Sequence, residues 1–158
     1  MNIKQLIRKM TLEEKVMQLC SLMARDLMNG NKLSPAKIKK RLRHGIGFVA
    51  SLTRDFPPAE GVAILNTVQD YLQQKTRLGI PAVMLEECIH GNMAVGATIF
   101  PQSIGMGATW DPEFYSTVAT AIAKEARARG FALALSPTIN IAGDPRCGRT
   151  EETYGEDP

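Results

Sequence analysis

Apolar, strand-like runs alternate with amphipathic helical stretches in units of about thirty residues, which predicts an α/β fold built on parallel strands. Two further observations narrow it. No Gly-x-Gly-x-x-Gly follows a strand, which removes the main sign of dinucleotide binding. Charged residues instead concentrate just past two of the strand-like runs, where barrel active sites lie. A doubly wound sheet and a (β/α)8 barrel both satisfy the alternation, and the placement of charge favours the barrel. A full barrel takes about 250 residues. The 158 residues here are therefore expected to form an incomplete (β/α)8 TIM-type barrel, roughly its first half, with residues 1–158 as the N-terminal portion of a barrel domain.

Each element has a local reason. Thr11-Leu-Glu-Glu14 reads as a capping box, the Thr11 hydroxyl accepting from the Glu14 amide while the Glu14 carboxylate accepts from the Thr11 amide. Val16, Leu19, Cys20 and Met23 follow at helical spacing, so one amphipathic helix is expected to continue through Met23. After the polar Asn29-Gly-Asn-Lys, a basic segment places Ile38 and Leu42 on one face. Gly45–Ala50 reads as the first buried strand. Pro57 and Pro58 open a long helix with the stripe Val62, Leu65, Val68, Tyr71 and Leu72, ending near Gly79. Ile80–Leu85 is the second strand, followed by a loop from Glu86 to Gly91 and a glycine-rich stretch to Gln102. Ile104–Ala108 is expected as a further short strand. Asp111-Pro-Glu starts a helix with a capping acid and proline at its first position. Phe114, Val118 and Ile122 should face inward, and Arg127, Arg129 and Gly130 suit its C-terminus. Phe131–Leu135 is the last strand-like run before a long charged loop.

Composition bounds the function classes. Apolar residues make up 44% of the chain and charged residues 22%, a globular balance rather than a disordered one. The net charge of +3 owes much to Lys32, Lys37, Lys39, Lys40, Arg41 and Arg43. That cluster lacks interleaved aromatics and fits a surface helix better than a nucleic-acid patch. No apolar run is long enough to span a bilayer, and the N-terminus lacks a signal-peptide core. Cys20, Cys88 and Cys147 form no C-x-x-C pattern, which favours a reducing compartment and offers no zinc site. The expectation is a cytoplasmic protein, or an exported one whose signal is removed, with no metal, cofactor, nucleic-acid or membrane partner.

Two loops carry the candidate chemistry. Glu86, Glu87 and His90 sit just past one strand, and Arg149, Glu151 and Glu152 past a later one. Parallel strands would open both loops at one face. Carboxylates there accept from sugar hydroxyls, and a guanidinium donates paired hydrogen bonds. The plainer alternative is charge pairing, with Arg149 on Glu152 or Glu86 and His90 as a loop brace. Trp110 and Met106 read as packing residues, and Asp111 as a helix cap. Neither Cys88 nor Cys147 has the surroundings of a nucleophile.

Three segments, Gly79-Ile-Pro-Ala-Val-Met-Leu-Glu-Glu-Cys-Ile-His-Gly91, Gly96-Ala-Thr-Ile-Phe-Pro-Gln102 and Asp144-Pro-Arg-Cys-Gly-Arg-Thr-Glu-Glu-Thr-Tyr-Gly-Glu-Asp-Pro158, resemble family 3 glycoside hydrolases of the β-glucosidase and β-xylosidase branch. Thr11-Leu-Glu-Glu-Lys-Val16 and Ala108-Thr-Trp-Asp-Pro112 match too, so the resemblance covers essentially the whole chain. It implies a barrel-type domain that hydrolyses terminal β-D-glucosyl or β-D-xylosyl residues with retention and without a cofactor. Glu87 falls where the family binds glycone hydroxyls through an acid, and Arg149 where it has a substrate-binding arginine. Glu86, His90 and Glu152 match positions with a loop-supporting role. Cys147 replaces a usual tryptophan and Gly143 a common arginine, two departures expected to loosen that loop.

The resemblance also implies a nucleophilic aspartate in a Ser-Asp-Trp-type segment, a preceding Lys-His pair, and an acid/base residue from later in the chain. No residue among the 158 matches them, so no catalytic residue is assigned and the chain alone is expected to be inactive. A non-catalytic carbohydrate-binding protein is the alternative, and an unrelated α/β protein with ion-paired loops a third. Exposed strand edges predict self-association.

Overall fold

The computed structural model describes residues 2–157. After helix α1 (Ile3–Lys9) and helix α2 (Leu12–Met17), strand β1 (Ser21–Met23) enters the sheet. The short helix α3 (Ala24–Leu27), a small antiparallel hairpin of β2 (Met28–Asn29) and β3 (Lys32–Leu33), and helix α4 (Pro35–Arg41) lead to β4 (Phe48–Ala50). Helix α5 (Pro58–Lys75) crosses to β5 (Val83–Glu87). Helices α6 (Ser103–Gly107) and α7 (Pro112–Ala128) cross to β6 (Leu133–Leu135), and a 3-10 turn, Thr150–Glu152, follows.

Strands β1, β4, β5 and β6 lie side by side in that order, every pair parallel. Each new strand adds to the same edge of the sheet. A doubly wound sheet would reverse direction at a switch point, whereas a barrel accumulates strands this way. The architecture is the partial TIM-type barrel that the charge placement favoured. The strand ends carrying Ala50, Glu87 and Leu135 point to one face, because parallel pairing aligns them.

The core lies between sheet and helices. Leu65, Val68 and Leu72 form the buried stripe of α5, while its Val62 and Tyr71 are half-buried. They meet Leu42, Ile46, Val49 and Met84 in one cluster. In α7, Val118, Ile122 and Ala126 turn inward, but Phe114 is exposed one turn above them. The Asp111 carboxylate caps α7 by accepting from the Phe114 amide at 2.9 Å. The basic segment is the surface helix expected, and Lys37 donates to the carbonyls of Arg25 and Met28.

Besides the exposed Phe114 and two strands that shorten to Phe48–Ala50 and Leu133–Leu135, four expectations need correction. The helix begun by the capping box stops at Met17, and Ser21–Met23 is the first strand of the sheet. The reason is tertiary: Gly47 and Phe48 amides donate to the Met17 and Cys20 carbonyls, drawing this stretch into the ladder beside β4. Gly47 is required there, since a Cβ would lie 2.0 Å from the Gln18 carbonyl oxygen. Secondly, α5 ends at Lys75 rather than near Gly79, the Thr76 hydroxyl bonding back to Leu72 O. Thirdly, β5 starts at Val83 and runs through Glu87. Pro81 offers no N–H, and both backbone groups of Ala82 are taken by the Gln69 side chain. Fourthly, Ile104–Ala108 is not a strand: Ser103–Gly107 is helical, closed by Ala108 N donating to Ile104 O.

The capping box forms as expected, and its Glu14 does a second job. Its carboxylate accepts from the Arg77 guanidinium, which also donates to Lys9 O at 2.7 Å. These bonds tie the N-terminal helices to the end of α5 and hold the Glu14 carboxyl below its usual range, the Arg77 hydrogen bonds being the main cause. A carboxyl whose folded pKa is depressed adds stability above its unfolded pKa and loses it as pH falls through the folded value. Arg77→Ala should therefore lower the urea midpoint at pH 7. Its deficit should shrink below about pH 4.3; a deficit constant down to pH 2 would show that the carboxylate pairing is not its source.

Candidate carbohydrate site

Beyond the ends of β4, β5 and β6 lies a cleft of about 450 Å³, lined among others by Arg54, Glu87, His90, Gln102, Arg149 and Glu152. Five of the six residues singled out in the two loops open to it, Glu87, His90, Arg149, Glu151 and Glu152. The sixth, Glu86, is one residue from Glu87 and on the other side of β5, as strand alternation requires. Both acids are the last residues of the strand, not the start of the loop. A larger groove of about 760 Å³ runs along α7 and β6, but it has no acidic residue and lies by the sheet's open edge. Barrel chemistry sits at the strand ends, and the smaller cleft is there.

Glu86 is wholly buried. One carboxylate oxygen, Oε1, accepts from Ser51 Oγ at 2.8 Å, Arg54 Nη2 at 2.8 Å and the Glu87 amide at 2.9 Å. It joins the end of β4 to the end of β5 and fixes the backbone that carries Glu87. His90 braces the next loop: its Nδ1 lies 3.0 Å from Phe100 O, and the Phe100 amide donates to His90 O at 2.7 Å. Because a carbonyl can only accept, Nδ1 carries the proton.

Arg149 takes the charge-paired option. Its Nε donates to Glu152 Oε1 at 2.8 Å and its Nη2 to Oε2 at 2.5 Å, a bidentate fork. That pairing, reinforced by Thr138 Oγ1 at 3.5 Å, holds the Glu152 carboxyl below its ordinary range, with the Arg149 hydrogen bonds as the largest cause. The same fork raises Arg149, and the Glu87 charge adds a smaller share. The acid on β5 and the guanidinium after β6 thus feel each other across the cleft.

Sequence reasoning passed over Arg54, although it stands four residues beyond Ala50, just past a strand, like the others. Trp110 is also placed differently: it is 85% exposed at φ 54°, not packed, while Met106 is buried as expected. At the altered positions, Cys147 is exposed, and Gly143 has open space around it. Arg146 chelates Asp144 through Nε and Nη2 on the exposed loop, outside the cleft lining.

Cys88 is buried beside the two acids, and burial, then the Glu86 and Glu87 charges, push its thiol up to about 11. Thiolate is the reactive form, so iodoacetamide at pH 8 should modify exposed Cys147 and leave Cys88 intact in the folded chain, read by mass spectrometry. Equal labelling of both would contradict this packing. Among the described residues no helix is long and apolar enough to cross a membrane, and no group of three His, Cys, Asp or Glu could hold a metal ion.

Parallel βα units with a polar cleft past their strand ends belong to the α/β-barrel class. A family model described as the glycosyl hydrolase family 3 N terminal domain matches residues 11–158, and the chain belongs to family 3 of the glycoside hydrolases. A putative β-xylosidase of Formosa agariphila is 31% identical over 159 residues, covering 98% of this chain and 21% of that protein. Among solved structures, a β-glucosidase from Erythrobacter marinus superposes with a TM-score of 0.87 at 40% identity, over 98% of this chain and 20% of its own. A β-glucosidase from Listeria innocua in complex with glucose gives 0.74 at 30% identity, over 98% and 21%. The chain spans about a fifth of the length of these relatives.

Proposed function

We propose that these residues form the glycone-binding part of a retaining β-glycosidase that acts on terminal, non-reducing β-D-glucosyl or β-D-xylosyl residues. The observation that carries this is the convergence of Glu87, at the end of β5, and Arg149, in the loop that follows the neighbouring parallel strand β6, on one cleft. A carboxylate that accepts and a guanidinium that donates complement sugar hydroxyls, which do both. The glucose complex of the Listeria innocua relative supports a pyranose as the ligand.

Retaining hydrolysis needs two carboxyls about 5 to 5.5 Å apart, one nucleophile and one acid/base. Glu86 is buried with no access to the cleft, and both oxygens of Glu152 are committed to Arg149. Glu87 and Glu151 remain, and the family resemblance gives Glu87 to binding. The 158-residue chain therefore binds sugar without cleaving it. Isothermal titration with glucose and with xylose should show saturable binding in the millimolar range, lost in Glu87→Ala. An aryl β-glucoside should not be hydrolysed above background. No binding at high millimolar sugar would remove the reading of the cleft; hydrolysis would remove the division of labour.

The outer strand supports self-association of the 158-residue chain. All three residues of β6 are exposed, and Ile139 and Ile141 stand exposed beyond them. An unpaired edge flanked by apolar side chains favours pairing with another copy. Sedimentation velocity should detect dimers or larger species at micromolar concentration; a strictly monomeric chain would count against it.

A further inference from the structure

We propose that Arg54 is a further glycone contact, a hydrogen-bond donor on the β4 side of Glu87 as Arg149 is on its β6 side. The inference rests on the reading of the cleft as a sugar site. Strand order places β5 between β4 and β6; Arg54 comes from the loop after β4 and Arg149 from the loop after β6, and both line the same cleft as Glu87.

The way Arg54 is held separates it from the other arginines. Arg77, Arg146 and Arg149 each dock on a carboxylate through Nε and one terminal nitrogen, a two-point grip that leaves Nη1 as the donor Arg149 can still offer a sugar. Arg54 engages Glu86 through Nη2 alone, with a second, longer bond of that nitrogen to Ser51 Oγ at 3.2 Å. Its Nη1 has no partner among the described residues, and its side chain is 40% exposed while that of Glu86 is 0% exposed. The guanidinium is anchored at one corner; its Nε is buried without a partner among the described residues, and Nη1 is the donor left for the cleft that Arg54 lines.

The anchor is built at a cost. Ser51 adopts φ 51°, a left-handed conformation uncommon outside glycine, and its hydroxyl donates to the oxygen that Arg54 also uses. Backbone strain persists where the surroundings over-determine it, and it clusters at ligand sites. A buried carboxylate ordering Ser51, Arg54 and the Glu87 amide together fixes the spacing between the guanidinium and the acid. Glu86 is thus a positioning residue, and the ligand class that Arg54 takes is an uncharged pyranose offering a hydroxyl oxygen. An anionic sugar is disfavoured by the open carboxylates of Glu87 and Glu151 in the same cleft.

The test is a titration of the 158-residue chain with glucose, its 2-, 3-, 4- and 6-deoxy analogues and xylose, for wild type, Arg54→Lys, and the paired variant Arg54→Met with Glu86→Gln. The paired variant removes both charges together, so that no carboxylate is left buried alone; thermal unfolding verifies its fold. Wild type should lose about tenfold in affinity for one deoxy sugar, the worth of one charge-assisted hydrogen bond. The paired variant should bind that sugar and glucose equally well, and Arg54→Lys should recover part of the discrimination. A loss of the same factor for every sugar would make Arg54 merely structural and overturn the proposal. Unchanged glucose affinity in the paired variant would overturn it too, with wild-type binding leaving the sugar-site reading intact. No binding by wild type would overturn both.

Discussion

Replacing Glu86 with alanine is expected to destabilise the chain by about 3 kcal/mol and abolish sugar binding. The magnitude follows from what is left behind. Breaking a buried ion pair by removing one partner costs about 3 to 5 kcal/mol, because the other charge stays without compensation. Arg54 is 40% exposed and can be partly rehydrated, which sets the expectation at the lower end. Two further donors, Ser51 Oγ and the Glu87 amide, lose the same oxygen. Against a typical stability of about 5 to 15 kcal/mol, such a loss leaves a chain that still folds at low temperature. Glu86→Gln, which keeps an oxygen acceptor and the side-chain volume, should lose less. Urea midpoints of the two variants test the ordering. If Glu86→Ala unfolds at the wild-type midpoint, the buried carboxylate does not hold the strand ends together.

Much of this arrangement was legible in the sequence, and the failures have physical causes. The two charged loops could be placed at one face because parallel strands align their ends, a rule of topology that needs no contact information, whereas the choice of Glu87 and Arg149 within them came from the family resemblance. The Asp111 and Thr11 caps are local and were read correctly. Misplaced boundaries share one origin, backbone groups spent on distant partners. The carbonyls of Met17 and Cys20 accept from amides beside β4, which turns the expected continuation of α2 into β1. Gln69 takes both backbone groups of Ala82 and delays the start of β5, while pairing of Glu86 and Glu87 with Ala134 and Leu135 of β6 carries its end over the two acids. Arg54 was missed because, although it stands just past a strand, its loop lacks the concentration of charge that marks the other two. Its meaning comes from a buried acid 32 residues away.

Gly107→Ala in α6 is expected to weaken sugar binding by more than tenfold although it places a better helix former in a helix. Two effects compete. Alanine gains about 1 kcal/mol over glycine in a helix interior. A Cβ at 107, however, would lie 2.1 Å from the Tyr154 carbonyl oxygen, a backbone atom that no rotamer change can move. Overpacking costs about 1 to 3 kcal/mol and more where the neighbour is fixed. Tyr154 is fixed: its ring meets Tyr115 edge-on at 5.0 Å between centroids, their hydroxyls are hydrogen-bonded, and the Gly155 carbonyl accepts from the Ala142 amide at 2.8 Å. The clash therefore wins, and the segment that must yield is the one carrying the Arg149–Glu152 fork, two residues before Tyr154. A shift of about 1 Å in a binding group is enough to lose most of its contribution. Gly105→Ala is the control within the same helix, since its Cβ would meet only Pro101 at 3.7 Å. It should keep or slightly raise the melting temperature and leave glucose affinity unchanged. Calorimetric melting and glucose titration of both variants decide the matter, and a Gly107→Ala chain that behaves like Gly105→Ala would show that α6 does not set the position of Arg149.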